Sequence, residues 1–128
     1  MHRLFLDANV LFSAAYRPKN GLLALWRLKR VTLLSSPYAI EEAQRNLEDD
    51  HQRLRLRRLV RSVEQIRTIA PQPLSVDLPS KDEPILLAAL AGRATHLITG
   101  DVRHFGKFFG KKIMGILVLP PAQYLRSH

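Results

Sequence analysis

Short, mainly apolar runs alternate along this chain with segments whose apolar residues recur at helical spacing, and two of those runs lead into an aspartate. Arg3 to Leu6 reads as a buried strand and leads into Asp7; His96 to Thr99 reads as another and leads through Gly100 into Asp101. Val31 to Leu34 and Ile116 to Leu119 are strand-like as well. Between them, Gly21 to Lys29, the segment from Ser36 towards Glu48, and Arg53 to Val63 carry helical periodicity. Pro84 to Ala91 is apolar nearly all round, as suits a helix packed on a sheet, and the PPAQYL stretch suggests a terminal helical turn. The alternation predicts an α/β protein, a three-layer α/β/α sandwich around a mostly parallel sheet. In such sheets ligands sit outside the carboxyl ends of the strands, where the two aspartates fall.

At 128 residues the chain matches one domain, and Ala70 to Ser80, with its prolines, reads as a long surface connection rather than a linker. With 20 Lys and Arg against 11 Asp and Glu, the net charge is +9. That surplus suits a polyanion, but it does not choose among nucleic acid, anionic lipid and plain solubility. The absence of cysteine excludes disulfides, thiolate metal sites and cysteine nucleophiles, and agrees with a reducing cytoplasm, the expected location. A membrane span is not expected, since the apolar run Ile113 to Leu119 is about a third of the length needed. Asp7 and Asn9 interrupt the only stretch that resembles a signal peptide.

Each candidate acid has an ordinary structural use. Asp7 and Asp101 suit helix N-caps, and Ser80-Lys81-Asp82-Glu83 has the form of a capping box. Glu41 and Glu42 lie on the helix after Ser36. At about 100° per residue, Ala39, Ile40, Ala43 and Leu47 span an arc of about 100°, with Glu42 about 60° beyond one edge and Glu41 about 100° beyond the other. Glu42 therefore borders the packed face, and Glu41 faces water. Were these acids to meet, their repulsion would call for a hard divalent cation, chiefly Mg²⁺ or Mn²⁺. Such ions activate water and stabilise the charge of phosphodiester displacement.

Four segments in order resemble the motifs of the PIN-domain family. They are Leu4-Phe5-Leu6-Asp7-Ala8-Asn9-Val10-Leu11, Ser36 to Leu47 with Glu42, Asp82-Glu83-Pro84-Ile85-Leu86-Leu87-Ala88-Ala89, and Leu97-Ile98-Thr99-Gly100-Asp101. The resemblance spans about Leu4 to Leu119. It implies a metal-dependent endoribonuclease acting on RNA, with the toxins of bacterial toxin–antitoxin pairs among its relatives, and so an antitoxin protein as a further partner and a homodimer as a common assembly. Carried over by position, Asp7, Glu42, Asp82 and Asp101 would be the catalytic, metal-binding quartet for Mg²⁺ or Mn²⁺. Asn9 would orient Asp7, and Thr99 would support the pocket. Some relatives carry another acidic or polar residue after the fourth acid. Here Val102-Arg103-His104-Phe105 offers only His104, either as a polar substitute or as a structural residue, which leaves a second metal without its acid.

Two basic clusters suit phosphate contact. Arg103, Lys107, Lys111 and Lys112 follow the fourth acid and are interleaved with Phe105, Phe108 and Phe109, of which at least two are expected in the core. Arg53, Arg57 and Arg61 line one side of their helix, with Arg55 and Arg58 on another; this helix reads as a solvated face, a nucleic-acid contact or a surface for an acidic protein. A haloacid-dehalogenase-like phosphatase would need an acid where Asn9 stands, and a receiver domain would need an acidic pair after its first strand. The remaining alternative is a catalytically inactive PIN-like module that binds RNA or protein without cleaving.

Overall fold

The computed structural model describes residues 1–128. Its six strands are β1 (His2–Leu6), β2 (Val31–Ser35), β3 (Val63–Gln65), β4 (His96–Ile98), β5 (Lys112–Ile113) and β6 (Ile116–Leu119). They form one sheet in the order β3-β2-β1-β4-β6-β5, parallel throughout except for β5 against β6. The helices are α1 (Ala8–Tyr16), α2 (Pro37–Asn46), α3 (Asp50–Val60), α4 (Glu83–Ala91), α5 (Val102–Phe105) and α6 (Pro121–Arg126). No helix is long and apolar enough to cross a membrane.

Strand alternation divides the core into two layers. Register sets Phe5 beside Leu34 and Leu97, and Leu97 beside Val118. This row is buried with Ile85, Leu86, Ala88 and Ala89 of α4 and with Phe105. The intervening residues Leu4, Leu6, Leu33, Ile98 and Leu119 face the other way, onto Val10 and Leu11 of α1, Ala43 of α2, Leu56 of α3 and Tyr124 of α6. Because both faces are covered, the strands are apolar at successive positions, as the sequence predicts. Each such side chain contributes on the order of 1.5–3 kcal/mol by leaving water. Beyond β2 and β3 the order reverses across β1, so the crevice between β1 and β4 is the sheet's switch point.

Three expectations shift in detail. The Gly21–Arg27 segment is a 3₁₀ helix that still buries Leu25. The expected helix over Arg53 to Val63 begins at Asp50, because Asp49 and Gln52 form a reciprocal capping box, and it stops at Val60. Val63 instead pairs with Leu33 as the first residue of β3, a strand of three residues that is too short to show a period. The hairpin strand β5 is absent from the sequence reading. Its turn places both Met114 (φ 50°) and Gly115 (φ 88°) in the left-handed region, the geometry of a two-residue hairpin. Residues 70–79 form no helix or strand, yet Leu74, Val76 and Leu78 pack on the α4 layer.

The arginines of α3 divide by task. Arg55 donates from Nε to the Ala15 carbonyl and from Nη2 to that of Tyr16, both at 2.9 Å, closing the carbonyl end of α1. Arg53 donates to the Leu47 carbonyl at 2.8 Å and lies 3.3 Å from Asp50. Arg57, Arg58 and Arg61 are exposed. Arg55→Ala is therefore expected to cost about 1.5–3 kcal/mol in urea unfolding, and Arg57→Ala less than about 0.5.

At the amino end of β1 and β4, opposite the switch-point crevice, His2 and His96 cluster with Tyr124 and His128. Burial, with the neighbouring His2 and His128 charges, lowers the His96 pKa to about 4. A base depressed in the folded state adds stability that is complete above its unfolded value near 6.5 and is lost as pH falls towards 4. Thermal midpoints of His96→Gln should therefore fall less steeply than those of the parent across that window.

Candidate active site

Asp7 is set over the switch point by the ladder itself. Its N–H donates to the Ile98 carbonyl at 3.1 Å, extending β1–β4 pairing by one residue. Its carboxylate is almost fully engaged. Oδ1 accepts from the Ala8 N–H at 2.7 Å, and Oδ2 accepts from the Thr99 hydroxyl at 2.8 Å and from Asn9 Nδ2 at 3.0 Å. Asn9 Oδ1 in turn accepts from the Gly100 N–H at 2.8 Å, and Thr99 Oγ1 accepts from the Asp101 N–H at 3.1 Å. Asn9 and Thr99 thus tie the loop after β1 to the loop after β4.

A pocket of about 590 Å³ opens over this clamp, lined by Asp7, Glu42, Asp82 and Asp101 together with Ala8, Asn9, Phe12, Ala43, Asn46 and Lys81. All four expected acids line it. Glu42 is half-buried, while Glu41 is exposed and 4.0 Å from Arg45. Asp7 and Asp101 also cap helices, so the structural and functional readings of these two residues coexist. Asp82 departs from expectation. It precedes α4 with helical backbone angles and makes no side-chain cap bond, so the capping box over Ser80 to Glu83 does not form. That leaves its carboxylate free for the pocket. An adjoining groove of about 620 Å³ between α1 and α6 shares Phe12 but carries no acid.

His104 belongs to this site. Its backbone N–H donates to Asp101 Oδ1 at 3.0 Å. Its Nδ1 lies 2.8 Å from Asp82 Oδ2 and 3.1 Å from Asp101 Oδ2. Despite the first distance, Nδ1 and Asp82 Oδ2 are buried without an aligned hydrogen bond. Donor atoms of Asp82, Asp101 and His104 all lie within 4.8 Å of one another, close enough to hold one ion. Asn46 and Lys81 are the polar lining residues that the sequence did not single out. Asn46 stands one helical turn beyond Glu42, and Lys81 precedes Asp82, so both had a positional signal.

Arg103, Lys107, Lys111 and Lys112 are exposed on the segment that leaves Asp101. The aromatic residues among them turn inward: Phe105 is fully buried, and Phe108 and Phe109 pack against the same core. Phe105 is therefore closed to a base, while Phe108 and Phe109 are half-buried and Lys107 Nζ sits 5.1 Å from the Phe108 ring centre.

Burial raises the Asp7 pKa to about 6, reinforced by the charges of Asp82 and Asp101 and opposed by the Thr99 and Ala8 hydrogen bonds. Burial also raises that of Asp82, against the opposing pull of His104. A carboxyl raised in the folded state makes the metal-free protein lose stability as pH climbs from about 4 to 6, by about 3 kcal/mol for a shift of about two units. In chelator, Asp7→Asn should gain about that much on the parent across this window and no more above it, as read from unfolding curves.

A family model described as the PIN domain matches residues 3–103. Two solved structures share the fold. VapBC2 from Rickettsia felis, determined bound to a DNA fragment from its promoter, is 16% identical with a TM-score of 0.69, over 92% of this chain and 98% of that one. FitAcB from Neisseria gonorrhoeae is 17% identical with a TM-score of 0.53, over 93% of this chain and 98% of that one. No curated protein matches. With the family match spanning residues 3–103 of the 128, the chain belongs to the PIN-domain family.

Proposed function

We propose that this protein is a Mg²⁺- or Mn²⁺-dependent ribonuclease, acting as the toxin of a toxin–antitoxin pair in the cytoplasm. The observation that carries the reading is the gathering of four carboxylates around one switch-point pocket in a chain whose net charge is +9. Family membership supports nuclease chemistry, and likeness to VapBC2 and FitAcB supports the toxin reading and an antitoxin partner.

Asp7, Glu42, Asp82 and Asp101 would hold the ion, and their oxygen donors fit a hard divalent cation. When bound, the ion supplies an activated water and neutralises charge on the phosphodiester. The protein's own groups do the rest. Asn9 and Thr99 hold Asp7 in one orientation, so its carboxylate needs little reorganisation. Arg103, with Lys107 and Lys111 beyond it, would draw the RNA backbone towards the acidic mouth, and the exposed Arg57 and Arg61 would extend the contact along α3 and just past its end.

Purified protein incubated with single-stranded and structured RNAs should cleave with Mn²⁺ and not with chelator. Asp7→Asn or Asp101→Asn should slow cleavage by about 100-fold or more, about 2.7 kcal/mol of barrier. Millimolar Mn²⁺ should also raise the melting temperature. Cleavage in chelator would overturn the mechanism, and RNA binding without cleavage would replace it with a binding module.

A further inference from the structure

The contact between His104 and the acids has an unusual form. Nδ1 approaches two carboxylate oxygens, at 2.8 and 3.1 Å, and neither approach has full hydrogen-bond geometry. A hydrogen bond at these distances would be aligned. Donor atoms sharing one ion need no such alignment. The donor atoms of Asp82, Asp101 and His104 lie within 4.8 Å of one another, close enough to share one ion. Asp82 is the other half of the same contact. Its side chain is only 9% exposed, and its Oδ2 faces this cluster without a hydrogen-bond partner, an arrangement that costs free energy unless something completes it. The imidazole is also preset, because the His104 N–H bond to Asp101 Oδ1 fixes the turn that carries it.

We infer that His104 Nδ1 is a direct metal ligand, joining Asp82 and Asp101 in a mixed oxygen and nitrogen donor set. The inference rests on the metal-dependent reading of the pocket and adds its donor atom and its selectivity. Imidazole nitrogen binds first-row transition ions well and Mg²⁺ poorly, so this set favours Mn²⁺ over Mg²⁺. His104 then stands where some relatives place a further acid, and it contributes a neutral donor in place of another negative charge.

The test is pulsed electron paramagnetic resonance of the Mn²⁺-loaded full chain, which detects a coordinated ¹⁴N without any activity assay. The parent should show ¹⁴N coupling. His104→Gln should lose it and bind Mn²⁺ about 10-fold or more weakly, with Mg²⁺ affinity changed by less than about threefold. His2→Gln, altered in the remote histidine cluster, should keep both coupling and affinity. Bound Mn²⁺ without ¹⁴N coupling in the parent would overturn the ligand assignment alone and needs no variant to fold. Coupling that persists in His104→Gln would overturn it equally. Failure of the parent to bind Mn²⁺ at all would overturn both this assignment and the metal-dependent reading.

Discussion

The pairing of β1 with β4, two strands separated by most of the chain, is the constraint on which the rest of the site depends. Parallel pairing brings the carboxyl ends of both strands to the same side, and the register Leu6 to Ile98 sets their following residues side by side. Asp7 and the Thr99-Gly100-Asp101 loop can then share hydrogen bonds through Asn9 and Thr99. A slip of one residue would turn Phe5 and Leu97 to the wrong layer, so the two-sided core that stabilises the sheet also fixes the geometry of the acids.

The clamp works against a standing electrostatic penalty. Asp7 is buried beside two further carboxylates, and without a cation its charged form is disfavoured. Three hydrogen bonds reduce the penalty without removing it. Such a site gives up stability to hold ligand atoms in place, and two well-covered core layers are what allow it to persist.

The basic surface is less uniform than its composition suggests. Arg55 and Arg53 fasten the carbonyl ends of α1 and α2, so part of the positive charge is structural. Arg103, Lys107 and Lys111 are exposed on the segment that leaves Asp101, whereas Lys112 pairs with Leu117 at the level of His96, at the far end of the sheet; the aromatic neighbours anchor this segment to the core.

Much of this was legible in the residues. Apolar runs and helical periods dictated the layered α/β class, and the position of Glu42 beside an apolar arc set it apart from Glu41, because both follow from local periodicity. The limits of α3, the short strand β3 and the β5 hairpin were not legible, since a three-residue strand or a tight turn draws its stability from partners distant in sequence. Nor could spacing alone assign Asp82 or His104: the Ser80 to Glu83 pattern permitted a local cap, and a lone histidine after Asp101 had no visible partner. The sequence by itself determined the elements and the inventory of acids. Only the tertiary structure decided that Asp82 leaves its cap and that His104 turns towards it, because the crossover from β3 through α4 to β4 alone brings α4 and α5 to one crevice.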